Sequence, residues 1–207
     1  MKRKLDIDNW IRKPHFEFFK TFEEPYHGVS VNVDCSAAHQ FAKRGGFSVF
    51  LYYLYQSLSA AQRIEPFKYR IEQDQVFLHD RIDAGSTIAR SDGTFGYGHF
   101  LYQESLEGFL EGAKREVARV RGSSDLTRNS AENVIRYSAL PWIDFTSLLH
   151  ARMFSVADSC PRISFGKMTE KDGRRSMPVS IHVHHALVDG LHVGQYIDCF
   201  QELMNSQ

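Results

Sequence analysis

The chain has 207 residues, 43% of them apolar and 13% aromatic, which is enough to bury a core and fits one domain over 1–207 better than two. Lysine plus arginine total 25 and aspartate plus glutamate 25, so no basic field exists to hold a nucleic acid or an anionic membrane surface. No window approaches the apolar length needed to cross a bilayer. The opening MKRKLDIDNW is basic but runs into acidic residues, and so does not read as a secretory signal. Cys35, Cys160 and Cys199 are odd in number, far apart and without metal-site spacing, which fits free thiols in a reducing cytosol and a cytoplasmic protein.

In chain order, GVSVNVDCS alternates Val29, Val31 and Val33 with small polar residues, the pattern of a half-buried strand. FSVFLYYLYQSLSAAQRI is apolar on nearly every side and too long for a strand, which predicts a helix buried on most faces. YRIEQ and QVFLHD, separated by little more than Asp74, predict a hairpin. SLEGFLEGAKREVARVRG sets Leu106, Phe109, Leu110, Ala113, Val117 and Val120 on one stripe opposite charges, an amphipathic surface helix. RISFGKM and MPVSIHVHHALV read as antiparallel partners joined through EKDGRR, where Asp172 and Gly173 supply turn chemistry. A closing helix steps Val193, Ile197, Phe200 and Met204 down one face. Strands and helices intermix without a strict βαβ rhythm, which predicts an α+β fold with helices packed on a largely antiparallel sheet.

The chemistry concentrates in VSIHVHHALVDG. Alternation points Val179, Ile181 and Val183 one way and His182 and His184 the other, while His185 falls on the Val183 side where the strand gives way to Asp189, Gly190 and a helix. Such a junction aims one imidazole from two rigid elements, and an imidazole with an ordinary pKa of about 6.5 is a competent base near neutrality. His185 is therefore the natural general base. The i, i+2 pair His182 and His184 is also how some zinc sites begin, although no third ligand is apparent short of Asp189 and His192 beyond the turn. Buried, hydrogen-bonded histidines on a sheet are the better reading of that pair.

HHALVDG fits the HHxxxDG signature shared by chloramphenicol acetyltransferases, dihydrolipoamide acyltransferase catalytic domains and peptide-synthetase condensation domains. WIRKPHFEFF resembles the chloramphenicol acetyltransferase opening, YSALPWIDFTS its central active-site segment, and HHALVDGLHVGQYI its terminus. The resemblance implies that family's two-layer sandwich of a largely antiparallel mixed sheet with packed helices. It implies an O-acetyltransferase with acetyl-CoA as cosubstrate and no permanently bound cofactor, whose acceptor is a small hydroxyl compound such as chloramphenicol. It also implies a homotrimer with sites at subunit interfaces, the histidine coming from one subunit and much of the acceptor pocket from its neighbour.

Residue by residue, the resemblance makes His185 the base and Ser138 the oxyanion donor, with Asp189 and Arg12 an ion pair bracing the catalytic loop. Trp142, Lys167 and Ser164 fall on the coenzyme side, and Phe18, Phe19 and Arg136 in the acceptor pocket. Arg136 stands where better-known members carry an uncharged residue, Met168 replaces an aromatic, and FEEPYHG, with Phe22, Tyr26 and His27, differs from the corresponding acceptor region. A guanidinium at 136 must pair with a protein carboxylate, turn to solvent, or meet a negative substrate group. Two other classes remain to be weighed: a metal-dependent hydrolase on His182 and His184, and a catalytically silent small-molecule-binding trimer.

Overall fold

The structure is a computed structural model that describes residues 1–206. The chain opens with strand β1 (Lys2–Lys4), helix α1 (Lys13–Phe19), strand β2 (Tyr26–Asp34) and helices α2 (Ser36–Arg44) and α3 (Val49–Arg63). Strands β3 (Tyr69–Glu72), β4 (Gln75–His79), β5 (Asp83–Ala89) and β6 (Phe95–Phe100) precede helix α4 (Leu106–Arg121). Then come β7 (Val134–Ala139), β8 (Arg162–Phe165), β9 (Thr169–Lys171), β10 (Arg174–His184) and helix α5 (Gly190–Asn205).

The main sheet runs β2-β10-β8-β7-β5-β6, with β9 added to the far end of β10. Its β5–β7 and β7–β8 pairs are parallel and the others antiparallel, so the sheet is mixed but largely antiparallel, as expected. The predicted hairpins form: Gln73 and Asp74 turn β3 into β4 at φ 48° and 58°, and Asp172 and Gly173 turn β9 into β10 at φ 52° and 75°. Left-handed backbone at both central residues suits the twist of the flanking strands.

The period of two sorts the sheet into two faces. Val33, Val179, Ile181, Val183, Ile163, Phe165, Ile135 and Tyr137 join the helices in one continuous core. Helix α3 is buried from Leu51 through Ala61, which is why its sequence is apolar all round. Helix α4 turns Phe109, Leu110, Ala113 and Val120 inward and pairs Glu111 with Arg115 outside. The helices thus lie on one face, giving the two-layer α+β sandwich.

Among the described residues, no helix covers the other face. By register it presents Tyr97, His99, Arg136, Ser138, Arg162, Ser164, Ser180, His182 and His184. Part of it is covered by the irregular 140–161 segment, where Arg162 donates from Nη1 to Ala151 O at 2.8 Å. Gly166 is needed there: a Cβ would meet Ile143 O at 2.8 Å, and the close approach lets Lys167 N–H donate to that same oxygen at 2.8 Å.

Candidate active site

His185 sits just past the end of β10, its N–H donating to Pro25 O at 2.8 Å so that the ladder with the β2 side continues one step further. Its ring lies flat on Phe19, with centroids 3.8 Å apart and 6° between planes, and His27 closes in at 4.3 Å. His27 Nε2 is 3.2 Å from Val188 O, and burial lowers its pKa, favouring the neutral ring. His185 Nδ1 is buried without a hydrogen-bond partner. Helix α1 and strand β2 therefore clamp the imidazole between two rings.

An ion pair joins the following loop to the start of α1. Arg12 Nη1 donates to Asp189 Oδ2 at 2.5 Å, while Asp189 Oδ1 accepts from Leu191 N at 3.1 Å and His192 N at 3.4 Å at the start of α5. His192 Nδ1 accepts the Asp189 N–H at 3.2 Å, completing a capping box. Burial would raise the Asp189 carboxyl, but Arg12 and its other partners hold it below the ordinary value.

The neighbouring histidines are otherwise engaged. His182 Nε2 is 3.0 Å from Ser180 Oγ, and a Cβ at Gly28 would sit 2.6 Å from the His182 ring, so only glycine admits it there. His184 Nδ1 accepts from Ala186 N at 3.3 Å, and burial and nearby Arg152 push its pKa down to about 4. Among the described residues, no group of three His, Cys, Asp or Glu side chains could hold a metal ion.

Ser138 lies elsewhere. It pairs with Ser164 on β8, which pairs with Ser180 on β10, so Ser138 is level with a residue five positions before His185 and two strands across. At about 4.8 Å per strand and 3.3 Å per residue, the two are roughly 19 Å apart in one chain. A base and an oxyanion donor must both lie about 3 Å from one reacting centre. One chain does not bring them together.

Ser138 instead stands, with Thr87, on the wall shared by two recesses. The larger, about 920 Å³, is apolar, with Phe50, Tyr53, Phe95 and Trp142 among its walls and Lys114 and Arg121 of α4 beside them. The smaller, about 250 Å³, is polar and includes Arg136, Arg162 and His150. Trp142 is 74% exposed on the large recess. Lys167 is exposed beside it through the Ile143 hydrogen bond but lines neither recess. Ser164 is fully buried, its Oγ without a partner, and also lines neither.

Phe18 is exposed and packs on Phe19 and Phe22 beside His185, far from Arg136 on the opposite side of β8. Arg136 has a protein carboxylate: its Nε is 3.4 Å from Asp158 Oδ2, which also accepts from Arg162 Nη2 at 2.8 Å. Thr87, Lys114 and Arg121 had no signal above that of an ordinary strand threonine or solvated helix cations. His27 stood out only as a departure from the family pattern.

An imidazole at a strand-to-helix junction, and a hydroxyl between an apolar recess and a polar one, are features that a group-transfer enzyme with two substrates can use. The family profile described as "Chloramphenicol acetyltransferase" matches residues 2–201, and the chain belongs to that family. It is 28% identical over 207 residues to a chloramphenicol acetyltransferase of Bacillus pumilus, covering 99% of this chain and 94% of that one. It is 26% identical over 208 residues to chloramphenicol acetyltransferase 3 of Escherichia coli, covering 99% and 97%. A solved chloramphenicol acetyltransferase superposes with TM-score 0.91 at 32% identity, over 99% of this chain and all of that one. The protein is accordingly an acetyl-CoA-dependent O-acetyltransferase.

Proposed function

We propose that the active site is built from two copies of the chain within a homotrimer, His185 coming from one and Ser138 from its neighbour. The observation that carries this reading is the separation of roughly 19 Å between the two within a chain, set by sheet register. The exposed apolar side chains of the 140–161 segment, Trp142, Ile143, Leu149, Met153, Phe154 and Val156, support a face that another copy covers. A ring of heterologous contacts supplies each His185 with a neighbour's Ser138.

Acetyl-CoA enters the large apolar recess, where Trp142 offers a ring face and Lys114 and Arg121, with Lys167 nearby, offer charge to the coenzyme's phosphates. The acceptor enters the polar recess on the other side of Ser138; for relatives named chloramphenicol acetyltransferase, chloramphenicol is that acceptor, and here it is one hydroxyl compound to be tested. His185 takes the hydroxyl proton as the oxygen attacks the thioester carbonyl. The new C–O bond forms, the carbonyl becomes an oxyanion receiving a hydrogen bond from Ser138 Oγ, and its collapse breaks the C–S bond. The imidazolium returns its proton to the departing thiolate, giving acetylated acceptor and free coenzyme A. A positioned base typically contributes roughly 10²–10⁴-fold. Free cysteines at 35, 160 and 199 favour a reducing, cytoplasmic setting.

Thiol release from acetyl-CoA in the presence of chloramphenicol, with sedimentation of the same sample, tests the reading. Acceptor-dependent release by a trimer is expected; release by a stable monomer contradicts the shared site, and none with any hydroxyl or amine acceptor contradicts the activity.

A further inference from the structure

The polar recess has a charge balance that a neutral acceptor does not match. Arg128, Arg136 and Arg162 line it together with His99 and His150, and no carboxylate does. Behind the arginines, Asp158 gives a single oxygen to both Arg136 and Arg162, while its Oδ1 accepts the Cys160 N–H at 3.0 Å. Two other nearby acids do not reach the arginines that line the recess: Asp83 lies behind His99, with Oδ2 3.7 Å from His99 Nε2 and Oδ1 3.8 Å from Arg81, and Glu24 pairs with Arg152. Three guanidiniums thus stand against one carboxylate. His150 adds no charge, because burial pushes its pKa down to about 4.

The hydrogen-bonding balance points the same way. Arg162 is only 9% exposed, yet its Nε is buried without a hydrogen-bond partner among the described residues, as is His150 Nε2, while Arg136 Nε has only the 3.4 Å contact to the Asp158 oxygen that Arg162 shares. Desolvated cationic N–H groups without acceptors are costly, and a neutral molecule filling the recess would remove their remaining water while returning few acceptors. An oxyanion supplies both charge and lone pairs, in the planar geometry that guanidinium forks match.

We infer, resting on the acetyl transfer proposed above, that the preferred acceptor is a hydroxyl compound bearing a carboxylate or phosphate, which Arg136 and Arg162 hold while its hydroxyl lies near Ser138. The pairing of Arg136 with Asp158 does not remove the site, because Asp158 is shared and the recess keeps an excess of positive charge. The acid group takes no part in bond making. It orients the hydroxyl and raises occupancy.

The test uses the full-length oligomer and two matched pairs: 3-phenyllactate against its methyl ester, and glycerol 3-phosphate against glycerol, with chloramphenicol as neutral reference. Thiol release from acetyl-CoA gives kcat/KM, and calorimetry without acetyl-CoA gives binding. In at least one pair the acid is expected to react and bind tenfold or more better than its neutral partner, which pair it is separating carboxylate from phosphate. Arg136→Gln should reduce that ratio below threefold, and added salt should weaken acid binding to the wild type, a readout that stands if the variant fails to fold. Equal or better performance by the neutral partners in both pairs overturns the inference. If chloramphenicol is then acetylated, acetyl transfer stands and only the acid preference falls. If nothing is acetylated, the transfer reading falls and the calorimetric ratio alone decides the recess, equal binding overturning it.

Discussion

Phe19 lies flat on His185 at 3.8 Å, so a side chain from the first helix fixes the plane of an imidazole more than 160 residues later in the chain. A base that must meet a hydroxyl proton at hydrogen-bond distance loses rate when its ring can tilt. Stacking of this kind contributes about 0.5–1.5 kcal/mol. Phe19→Leu should therefore lower kcat by about tenfold with a smaller change in stability, whereas His185→Ala should lower it by several orders of magnitude while leaving the fold nearly unchanged. Steady-state thiol release with circular dichroism on both variants checks this; comparable turnover in a folded His185→Ala protein would sink the mechanism.

Ser138→Ala should cost on the order of 10²-fold in kcat, the loss expected of one oxyanion donor, with little change in KM. An unaltered rate would move the donor elsewhere.

Complementation follows from the separation of His185 and Ser138. Chains carrying His185→Ala alone or Ser138→Ala alone make weak enzymes, but a refolded equal mixture forms some sites from an intact histidine on one copy and an intact serine on the next. With random assortment around a closed ring, about a quarter of sites are intact. Activity of the mixture near a quarter of wild type is expected. Activity no greater than the mean of the two parents would place both residues in one chain's site.

Asp189 pairs with Arg12 and caps α5, and two substitutions separate those tasks. Asp189→Asn keeps a good cap and loses the ion pair, so stability should change by less than about 1 kcal/mol, since solvent screening and desolvation offset much of a partly buried pair's attraction. Its kcat should nevertheless fall, because the loop after His185 loses its brace to α1. Asp189→Ala loses the cap too, and should unfold at lower urea by a further ~1 kcal/mol. Equal kcat for Asp189→Asn and wild type would show that the pair does not position the base.

Acid sensitivity should arrive in two stages. His79, His150 and His184 are each pushed down to about 4, chiefly by burial, so their neutral forms are favoured in the fold. Such depressed groups stabilise above the unfolded value of about 6.5 and lose that contribution as pH falls toward 4. Burial would raise the Asp158 carboxyl, but Arg136, the Cys160 N–H and Arg162 outweigh it and hold the pKa at about 2. Its contribution is present above about 4 and is lost between there and 2. Urea midpoints should decline from pH 6.5 to 4 and again below 4, and Asp158→Asn should make the second decline shallower, leaving the part due to other lowered carboxyls such as Asp189. A flat profile from 6.5 to 4 would contradict the buried neutral histidines.

Much of the architecture is legible locally because burial leaves a period in the chain. Helices α3, α4 and α5, both tight hairpins and the alternation of β10 follow from apolar spacing and turn residues within a few positions, and the HHALVDG frame marks His185 directly. Strands β5 and β6 leave no such mark. In FGYGHF the glycines Gly96 and Gly98 face the helices while Tyr97 and His99 face the open side, since a Cβ at Gly98 would meet the Phe100 ring at 2.9 Å. The apolar pattern is absent because neighbouring side chains, the Phe100 ring at Gly98 and Arg90 with Val120 at Gly96, fill the space those side chains would occupy.

What tertiary structure alone decided is which distant groups meet. The charge of Arg136 and its three options are plain in the sequence, but only the path of the 140–161 segment brings Asp158 to it and makes Arg162 a competitor for the same oxygen. Likewise, the motifs name His185 and Ser138 as partners in one reaction, whereas strand order and register hold them roughly 19 Å apart. Side-chain chemistry and local period are properties of neighbouring residues and survive in the sequence. Strand order, register and the sharing of one carboxylate depend on contacts between segments that no local pattern encodes.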